Sequence, residues 1–341
     1  MKQAIFSAFI TGLFWALLPL LAAGTGPKEM EEATSEIPAL TEVGSSHQAD
    51  TPSQTDSAAS LDFDSDFALP VLAEGEVVSM NLREYLTGVV LGEMPMDFQE
   101  EALKAQAVAC RTYTLRCYHH RKHGAAAVCT DSSCCQGWRD PALAEPEDRA
   151  RAEAAVAATD GLALYYKDAL IDATFFSCSG GQTETAAAVW GSDLPYLQAV
   201  QSPGEEGASH FTDQVRVPLE DFRAALEEAD GAADFPEALG AWVGEITYTP
   251  GGGVDTMELG GRPFRGTTLR KLFGLRSTLF TLTLTEQEAV FSTRGFGHRV
   301  GMSQYGADAM ARRGSDFREI LLWYYRGVEL RRADEKPEAE P

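Results

Sequence analysis

Residues 81–119 read NLREYLTGVVLGEMPMDFQEEALKAQAVACRTYTLRCYH. Asn81 is a good N-cap residue, and Glu84 follows three positions later, which is typical of a helix start. Apolar side chains then recur with the helical period. Pro95 disfavours helix at the residue before it. The stretch therefore predicts a helix that begins after Asn81 and ends near Gly92.

A second helix is predicted directly after this break. Asp97 is followed three positions later by Glu100, so Asp97 is expected to be the N-cap. The sequence that follows is rich in alanine, and the helical pattern continues to about His119. Small side chains allow this helix to pack closely against its neighbours.

Glu93 is an acidic residue at the end of an apolar helix, just before the Met-Pro break. A carboxylate at this position faces the negative end of the helix dipole, which raises its pKa, and partial burial acts in the same direction. A raised pKa suits a general acid that works near neutral pH. The alternative is that Glu93 is a solvated residue at a helix end.

The charge is concentrated before the predicted folded region. The chain has 341 residues and a formal net charge of -23, which argues against nucleic acid as a partner. Eleven Asp/Glu and one Lys lie between Gly24 and Gly75, so nearly half of the net charge falls there. Most of that segment has no sustained hydrophobic period. Residues 24–75 are therefore predicted to be a disordered acidic linker.

The N-terminus predicts a membrane anchor. Ala4 to Ala23 is apolar, with no charge after Lys2, and is long enough to cross a bilayer as a helix. The alternative is a cleaved signal peptide. Either interpretation places the rest of the chain outside the cytoplasm, with a folded domain over 76–330 and a short tail over 331–341.

Three histidines and three cysteines fall within residues 119–138. His123, Cys129 and Cys135 are spaced by six, and imidazole with thiolates is a zinc-type ligand set. The alternative is a disulfide between Cys129 and either Cys134 or Cys135, which an extracytoplasmic location permits. The other cysteines are interpreted as buried apolar residues: Cys110, Cys117 and Cys178.

The remaining pattern mixes helices and strands without parallel βαβ alternation, which predicts an α+β fold. A helix over 150–159 precedes a hairpin, with strands over 162–166 and 169–176. Residues 205–290 mix both element types and are predicted to form a second lobe, which makes a substrate cleft against the first. The predicted elements there are helices Phe222–Ala229 and Leu269–Leu272, and strands Val243–Tyr248 and Thr278–Leu284, with a loop at Gly251–Gly253.

Two glycine-rich loops carry polar side chains. One is Ser177–Glu184, and the other runs from Phe296 to Gly306 and contains His298. Glycine lets the backbone approach a ligand closely. Ser303 is expected to cap a helix that ends near Gly314.

Several stretches together resemble the stage II sporulation protein D (SpoIID) family, in the same order, from about Leu82 to Gly327. They are Gly-Glu-Met-Pro with Ala-Leu-Lys-Ala-Gln-Ala-Val-Ala-Cys-Arg-Thr-Tyr, Cys-Gln-Gly-Trp, Ser-Gly-Gly-Gln-Thr-Glu, Val-Trp-Gly-Ser-Asp-Leu-Pro-Tyr-Leu, Leu-Arg-Ser-Thr-Leu-Phe and Gly-His-x-Val-Gly-Met-Ser-Gln-Tyr-Gly-Ala. The same domain occurs in amidase-enhancer proteins. The sequence departs from the family pattern at Arg299, where glycine is usual, and by the extra thiol of Cys134.

The resemblance implies a lytic transglycosylase that cuts peptidoglycan glycan strands, preferably peptide-stripped, in cell-wall remodelling during sporulation and engulfment. It implies that Glu93 is the catalytic residue and that His123, Cys129 and Cys135 hold a structural zinc ion. It also implies a single-pass anchor in the mother-cell membrane, with a cell-wall amidase and a membrane scaffold protein as partners. The residues expected to bind substrate are Arg111, Gln136, Ser177, His298, Gln304 and Tyr305.

Glu93 is the single well-motivated carboxylate in the sequence, whereas ordinary glycosidases need two. One carboxylate suits lytic transglycosylation, in which the muramic acid C6 hydroxyl is the nucleophile. The alternatives are a non-catalytic glycan-binding module that recruits or activates an amidase, a zinc hydrolase acting on amide bonds, and a scaffold. No His-Glu-x-x-His motif supports the hydrolase.

Overall fold

A computed structural model describes residues 62–334, which fold into mixed helices and mostly antiparallel sheets. The helices in this range are α1 Phe63–Asp66, α2 Leu82–Glu93, α3 Glu100–His120, α4 Pro146–Ala158, α5 Ala186–Trp190, α6 Leu219–Ala229, α7 Gly266–Leu272, α8 Gln304–Arg312 and α9 Phe317–Tyr324. Two short 3₁₀ turns cover Pro141–Leu143 and Leu239–Ala241. The predicted α+β class is confirmed.

The strands form small sheets. They are β1 Ala68–Ala73, β2 Glu76–Asn81, β3 Val128–Cys129, β4 Leu162–Tyr166, β5 Ala169–Leu170, β6 Phe175–Phe176, β7 Thr212–Pro218, β8 Val243–Tyr248, β9 Val254–Leu259, β10 Arg262–Arg265, β11 Phe280–Leu284, β12 Glu288–Arg294, β13 Met302–Ser303 and β14 Glu329–Arg332. The sheet orders are β2-β1-β3, β10-β9-β8, β11-β12-β7, β13-β6 and β14-β4-β5. The pairs β1/β3 and β6/β13 are parallel, and the other strand pairs are antiparallel.

Helix α2 follows the prediction. The Asn81 side chain accepts a hydrogen bond from the Glu84 N–H at 2.8 Å, which satisfies one free donor of the first turn. The helix ends at Glu93 because Met94, the residue before Pro95, adopts extended backbone angles. Glu93 is thus the last helical residue.

The predicted cap of the second helix is wrong. Helix α3 begins at Glu100, and its N-cap is Gln99, whose side chain makes no capping bond. The Phe98 N–H instead donates to the Pro95 carbonyl at 3.2 Å, a turn that keeps Asp97 outside the helix. The acceptor at this helix start comes from far along the chain: the Gln99 N–H donates to the Asp308 carboxylate at 2.7 Å.

The described residues contain two hydrophobic clusters. The larger one is built on α2 and α3 and includes Leu86, Val89 and Val108, all fully buried. The smaller one lies within residues 215–291 and contains Phe222, Leu259 and Phe291. The arrangement of two lobes around a cleft stays a prediction.

The folded domain was predicted to start at Glu76, after a disordered linker. This prediction is wrong for residues 62–75, which are folded. Helix α1 and strand β1 occupy them, and Asp64 is fully buried. The acidic composition of this segment gave no sign that it folds, because the Asp64 carboxylate is paired with the guanidinium of Arg111, which lies 47 positions away. At the other end, β14 extends the fold past Leu330 and pairs with β4.

Other predicted elements hold with shifted ends. The strand predicted over 169–176 is two short strands, β5 and β6, separated by an irregular stretch in which the Thr174 N–H donates to the Asp172 carbonyl at 2.9 Å. Helices α4, α6 and α7 begin three or four residues before their predicted starts.

Within residues 62–334 no helix is long and apolar enough to cross a membrane, and the predicted anchor Ala4–Ala23 lies outside that range.

Candidate functional site

Glu93 lies against the loop 135–138. Two glycines one turn apart on α2 allow this contact: a Cβ at Gly88 would lie 2.2 Å from the Trp138 ring nitrogen, and a Cβ at Gly92 would lie 2.6 Å from the Gly137 carbonyl. The loop can therefore approach the helix closely. This approach brings the Gly137 N–H onto the Glu93 carboxylate, to which it donates a hydrogen bond.

The environment of Glu93 suits a proton donor. Burial raises the pKa of its carboxyl, and this outweighs the hydrogen bonding from Gly137 and Gln304, which lowers it. Within residues 62–334 no second acidic group contributes to this pKa shift. The site thus combines a half-buried carboxyl with a hydrogen bond from the Gly137 N–H.

Gln304 contacts Glu93 from the opposite end of the chain. It is the first residue of α8, whose N-cap Ser303 accepts a hydrogen bond from the Gly306 N–H at 3.2 Å. The Gln304 side chain donates to the Glu93 main-chain oxygen at 3.0 Å. The second glycine-rich loop therefore meets the end of α2 directly.

Tyr305 and Ser177 belong to the same cluster. The Tyr305 N–H donates to the Ser177 carbonyl at 3.1 Å, and the Tyr305 hydroxyl lies 3.3 Å from the Ser209 hydroxyl. The Tyr305 ring packs edge-on against Phe98, with centroids 4.9 Å apart. The Ser177 side chain is half-buried beside this contact.

His298 lies between two aromatic rings. Its ring centroid is 5.6 Å from that of Phe176 and 5.2 Å from that of Trp190. Its Nδ1 accepts a hydrogen bond from the Val300 N–H at 3.1 Å, so the neutral ring carries its proton on Nε2. Burial, together with the charge of Arg270, lowers the pKa of His298 to about 4. The imidazole is therefore a neutral hydrogen-bond donor at physiological pH.

Arg299 keeps the left-handed backbone that glycine usually provides, with φ of 67°. Its guanidinium is fully buried and donates to the carbonyls of Ser179, Gln182 and Gly251 at 2.9, 2.8 and 2.6 Å. Burial lowers its pKa to about 10, against the opposing effect of Glu184 and of a second buried glutamate. Arg299 thus ties the first glycine-rich loop to the Gly251–Gly253 loop.

Two predicted substrate ligands are not placed to touch substrate. Arg111 is fully buried and pairs with Asp64, its Nη2 lying 2.5 Å from a carboxylate oxygen. This buried ion pair argues against substrate contact by Arg111. Gln136 is also buried, and its amide donates to the Thr114 hydroxyl at 3.1 Å, behind the loop that contacts Glu93.

The predicted metal ligands come together. Donor atoms of His123, Cys129, Cys134 and Cys135 all lie within 4.8 Å of one another. His123 Nε2 is 3.2 Å from the Cys135 sulfur and 3.7 Å from the Cys134 sulfur. Cys129 ends the short strand β3, which pairs with β1. The cluster can hold a metal ion.

The chemistry of these donors fits a thiolate-binding metal. All six cysteines are free thiols, so the disulfide alternative is not realised. Burial opposes ionisation of Cys135, but hydrogen bonding from His123 and Cys129 lowers its pKa to about 7, so its thiolate is accessible. Burial raises the pKa of Cys129 to about 12. The buried positions of Cys110, Cys117 and Cys178 are confirmed.

Sequence reasoning missed three features of this site. The Gly137 N–H is a backbone donor, which no side-chain pattern reveals. Trp190 was assigned no role, yet it packs on His298 and remains 45% exposed. Glu205 is buried, and its carboxylate accepts hydrogen bonds from the Ser179 N–H and hydroxyl at 2.6 and 2.9 Å. These bonds hold the first glycine-rich loop in place. Each depends on contacts distant in sequence.

Comparisons with known proteins identify relatives of this chain. Residues 73–166 match a family model described as SpoIID, Stage II sporulation protein. The chain is similar to Stage II sporulation protein D of Bacillus subtilis (strain 168), with 36% identity over 273 residues, 77% of this chain and 78% of that protein. For Stage II sporulation protein D of Bacillus amyloliquefaciens the identity is 35% over 269 residues, 76% of each chain.

A more distant relative is the Amidase enhancer of Bacillus subtilis (strain 168). It is 27% identical over 298 residues, which cover 72% of this chain and 40% of that protein. The resemblance seen in the motifs therefore extends over most of the chain. The chain belongs to the stage II sporulation protein D family.

Proposed function

We propose that this chain is a lytic transglycosylase that cuts the glycan strands of peptidoglycan between N-acetylmuramic acid and N-acetylglucosamine. The observation that carries the proposal is the setting of Glu93: a half-buried carboxyl with a raised pKa, held by the Gly137 N–H. Within residues 62–334 no second acidic group perturbs it. A single proton-transfer group suits lytic transglycosylation, whereas ordinary glycosidases use two carboxylates.

The proposed reaction needs one proton-transfer group. Glu93 donates its proton to the glycosidic oxygen as the bond from that oxygen to muramic acid C1 breaks. The muramic acid C6 hydroxyl forms the new bond to C1 and gives its proton to the Glu93 carboxylate, which restores the acid. The products are a free 4-hydroxyl on one strand and a 1,6-anhydromuramic end on the other.

The residues around Glu93 have separate proposed roles. Gln304 is a positioning residue, because it holds the main chain of Glu93. The hydroxyls of Ser177 and Tyr305 and the Nε2–H of His298 are the groups we expect to bind sugar. Trp190 offers an exposed aromatic face beside His298, which suits stacking on a sugar ring.

We propose that His123, Cys129 and Cys135 hold a structural zinc ion, with Cys134 as a candidate fourth ligand. A bound zinc ion supplies cross-linking of the loop. Cys135 lies two residues before Gly137, so a fixed loop keeps the Gly137 N–H on the Glu93 carboxylate. No proton transfer or nucleophilic step is assigned to the metal.

Zinc content and stability test this role. The purified full-length chain is expected to contain one zinc per chain, and chelation is expected to lower both the melting temperature and the cleavage rate. Cys135→Ser is expected to weaken zinc binding at least about tenfold, and more than Cys134→Ser does, because the Cys135 sulfur is nearer to His123. Unchanged melting temperature and activity after complete chelation would contradict the structural role.

The pH dependence of cleavage follows from the Glu93 pKa. The protonated carboxyl is the working form, so the rate of bond cleavage is expected to be high below the raised pKa and to fall as pH rises through it. Gln304→Leu is expected to move this fall in cleavage rate to higher pH, because hydrogen bonding from Gln304 lowers the Glu93 pKa. If the cleavage rate falls over the same pH range in both proteins, the assignment of this pH dependence to Glu93 is contradicted.

Product analysis tests the function itself. Peptide-free glycan strands are incubated with the full-length chain, and the new strand ends are weighed by mass spectrometry. Anhydro ends, one water lighter than reducing ends, are the expected product. Reducing ends would assign the attack to water, and uncut strands would mean that the chain is not a transglycosylase.

The amidase-enhancer relative favours a second candidate function. In that case the chain would bind glycan without cutting it and would recruit or activate a cell-wall amidase. We propose that the chain works in sporulation cell-wall remodelling at the mother-cell membrane, anchored by its N-terminal segment, with an amidase and a membrane scaffold protein as partners. Stimulation of an amidase by a Glu93→Gln chain would support the recruiting role.

A further inference from the structure

A groove lies on the exposed face of the sheet β11-β12-β7, and Glu93 is not among its lining residues. It has a volume of about 740 Å³ and is walled on one side by Tyr248 and Gly252, at the turn between β8 and β9. Its lining combines polar side chains with the apolar Leu279 and Phe280; the polar ones include Thr212, Gln214, Thr281, Ser292 and Arg294. We call it the sheet groove.

Strand register explains why this face is polar. Ser292 on β12 is paired with Thr281 on β11 and with Gln214 on β7, so the three side chains form a row across the sheet. The alternate residues Phe280 and Phe291 are buried in the smaller hydrophobic cluster. Hydroxyl and amide groups therefore face solvent in a row. Tyr248, which is 62% exposed, adds an aromatic surface beside it.

The sheet groove carries one positive charge that has no ion-pair partner among residues 62–334. Its two charged lining residues are Asp213 and Arg294. Asp213 is already paired with Arg276, at 3.0 Å. No carboxylate of residues 62–334 lies within ion-pairing distance of Arg294, whose side chain is exposed at the end of β12. The groove thus presents an unpaired cation in a chain with a formal charge of -23.

The sheet groove is joined to the glycine-rich loops by short segments. Arg294 precedes His298 by four residues, which at roughly 3.3–3.6 Å per residue places their Cα atoms at most about 14 Å apart. Thr212 follows Ser209 by three residues, and the Ser209 hydroxyl contacts the Tyr305 hydroxyl. The sheet groove therefore lies only a few residues along the chain from the glycine-rich loops.

We propose that the sheet groove is a further glycan subsite, in which Arg294 binds the free carboxylate of a sugar and Tyr248 stacks on a sugar ring. The inference rests on the proposed function for the identity of the strand: peptide-free muramic acid carries a free lactyl carboxylate, whereas an intact stem peptide converts that group into a neutral amide. Arg294 would then make the groove selective for stripped strands. Charge-assisted hydrogen bonds between a guanidinium and a carboxylate supply the affinity.

Binding measurements on the full-length chain test this subsite. Glu93→Gln is the parent, so that bound strands are not cut. The probes are peptide-free glycan strands and the same strands with their lactyl carboxylates converted to methyl esters. Arg294→Gln is expected to weaken binding of the free-acid strands about five- to tenfold, and to change binding of the esters by less than about twofold.

Two further variants complete the test. One removes a positive charge outside the sheet groove, and the other removes the aromatic ring of Tyr248. Arg318→Gln makes the same charge change on α9, where Arg318 is exposed and has no ion-pair partner among residues 62–334, and is expected to leave both affinities within about twofold. Tyr248→Ala is expected to weaken binding of acid and ester strands alike, because stacking does not depend on the carboxylate.

The subsite is overturned if Arg294→Gln and Arg318→Gln weaken binding equally, if the loss is the same with ester strands, or if the parent binds neither probe. Cleavage by the wild-type chain is scored separately. Anhydro products with no effect of Arg294→Gln would reject the subsite alone. Carboxylate-dependent loss of binding without any anhydro product would support the subsite and reject the transglycosylase.

Discussion

Glu93→Gln is expected to lower the rate of glycan cleavage by about 10²- to 10⁴-fold while strand binding stays within a few-fold of wild type. Glutamine keeps the shape of the side chain and still accepts the hydrogen bond from the Gly137 N–H through its carbonyl oxygen. It has no proton to give to the glycosidic oxygen. The loss should therefore appear in the chemical step alone, as measured by release of new strand ends under saturating substrate.

Glu84→Gln is the matched control, because Glu84 lies on the same helix at its exposed first turn. It is expected to cleave at the wild-type rate. A Glu93→Gln chain that cuts as fast as the control would reject Glu93 as the general acid. Loss of binding together with cleavage would assign Glu93 to substrate binding instead.

Arg111→Met is expected to destabilise the fold by about 3–5 kcal/mol, because it leaves the fully buried Asp64 carboxylate without its partner. Arg111 also donates to the Val156 and Leu162 carbonyls, at 3.2 and 3.1 Å, and these bonds are lost as well. Urea unfolding of the full-length chain measures the change. The double variant Arg111→Met with Asp64→Leu should lose less than Arg111→Met alone, since no unpaired charge remains.

Arg116→Met supplies the control for this pair. Arg116 lies five residues later on the same helix and pairs with Asp172, but the two side chains are 31% and 35% exposed. Its loss is expected to cost less than about 1 kcal/mol. Equal losses for the two arginine variants would contradict the argument that burial makes the Arg111 pair critical.

The buried pair also marks the limit of prediction from sequence. The capped start of α2, its end at Glu93 and the Ser303 cap of α8 were all predictable, because caps and proline act within a few residues. The pairing of Asp64 with Arg111 was not, because the acidic stretch around Asp64 has the composition of a linker. A fragment that begins at Glu76 would lack Asp64 and β1, and is expected to be destabilised for the same reason.

The same distinction between local patterns and long-range contacts applies to the candidate site. The sequence indicated Glu93, the metal cluster and the glycine-rich loops, since each is a local pattern of residue types. It misassigned Arg111 and Gln136, whose motif positions gave no sign that both side chains are buried. It also gave no account of Arg299, whose three carbonyl acceptors come from two separate loops. Long-range contacts decide these roles.

The most direct test of the central claim is cleavage of peptide-free glycan strands by the full-length chain in ¹⁸O-labelled water, followed by mass spectrometry of the new ends. If the muramic acid C6 hydroxyl is the nucleophile, the ends are anhydro and carry no ¹⁸O, and Glu93→Gln yields almost none of them. Reducing ends that carry ¹⁸O would show that water attacks C1, and the account of Glu93 as the sole proton-transfer group in a transglycosylase would be wrong.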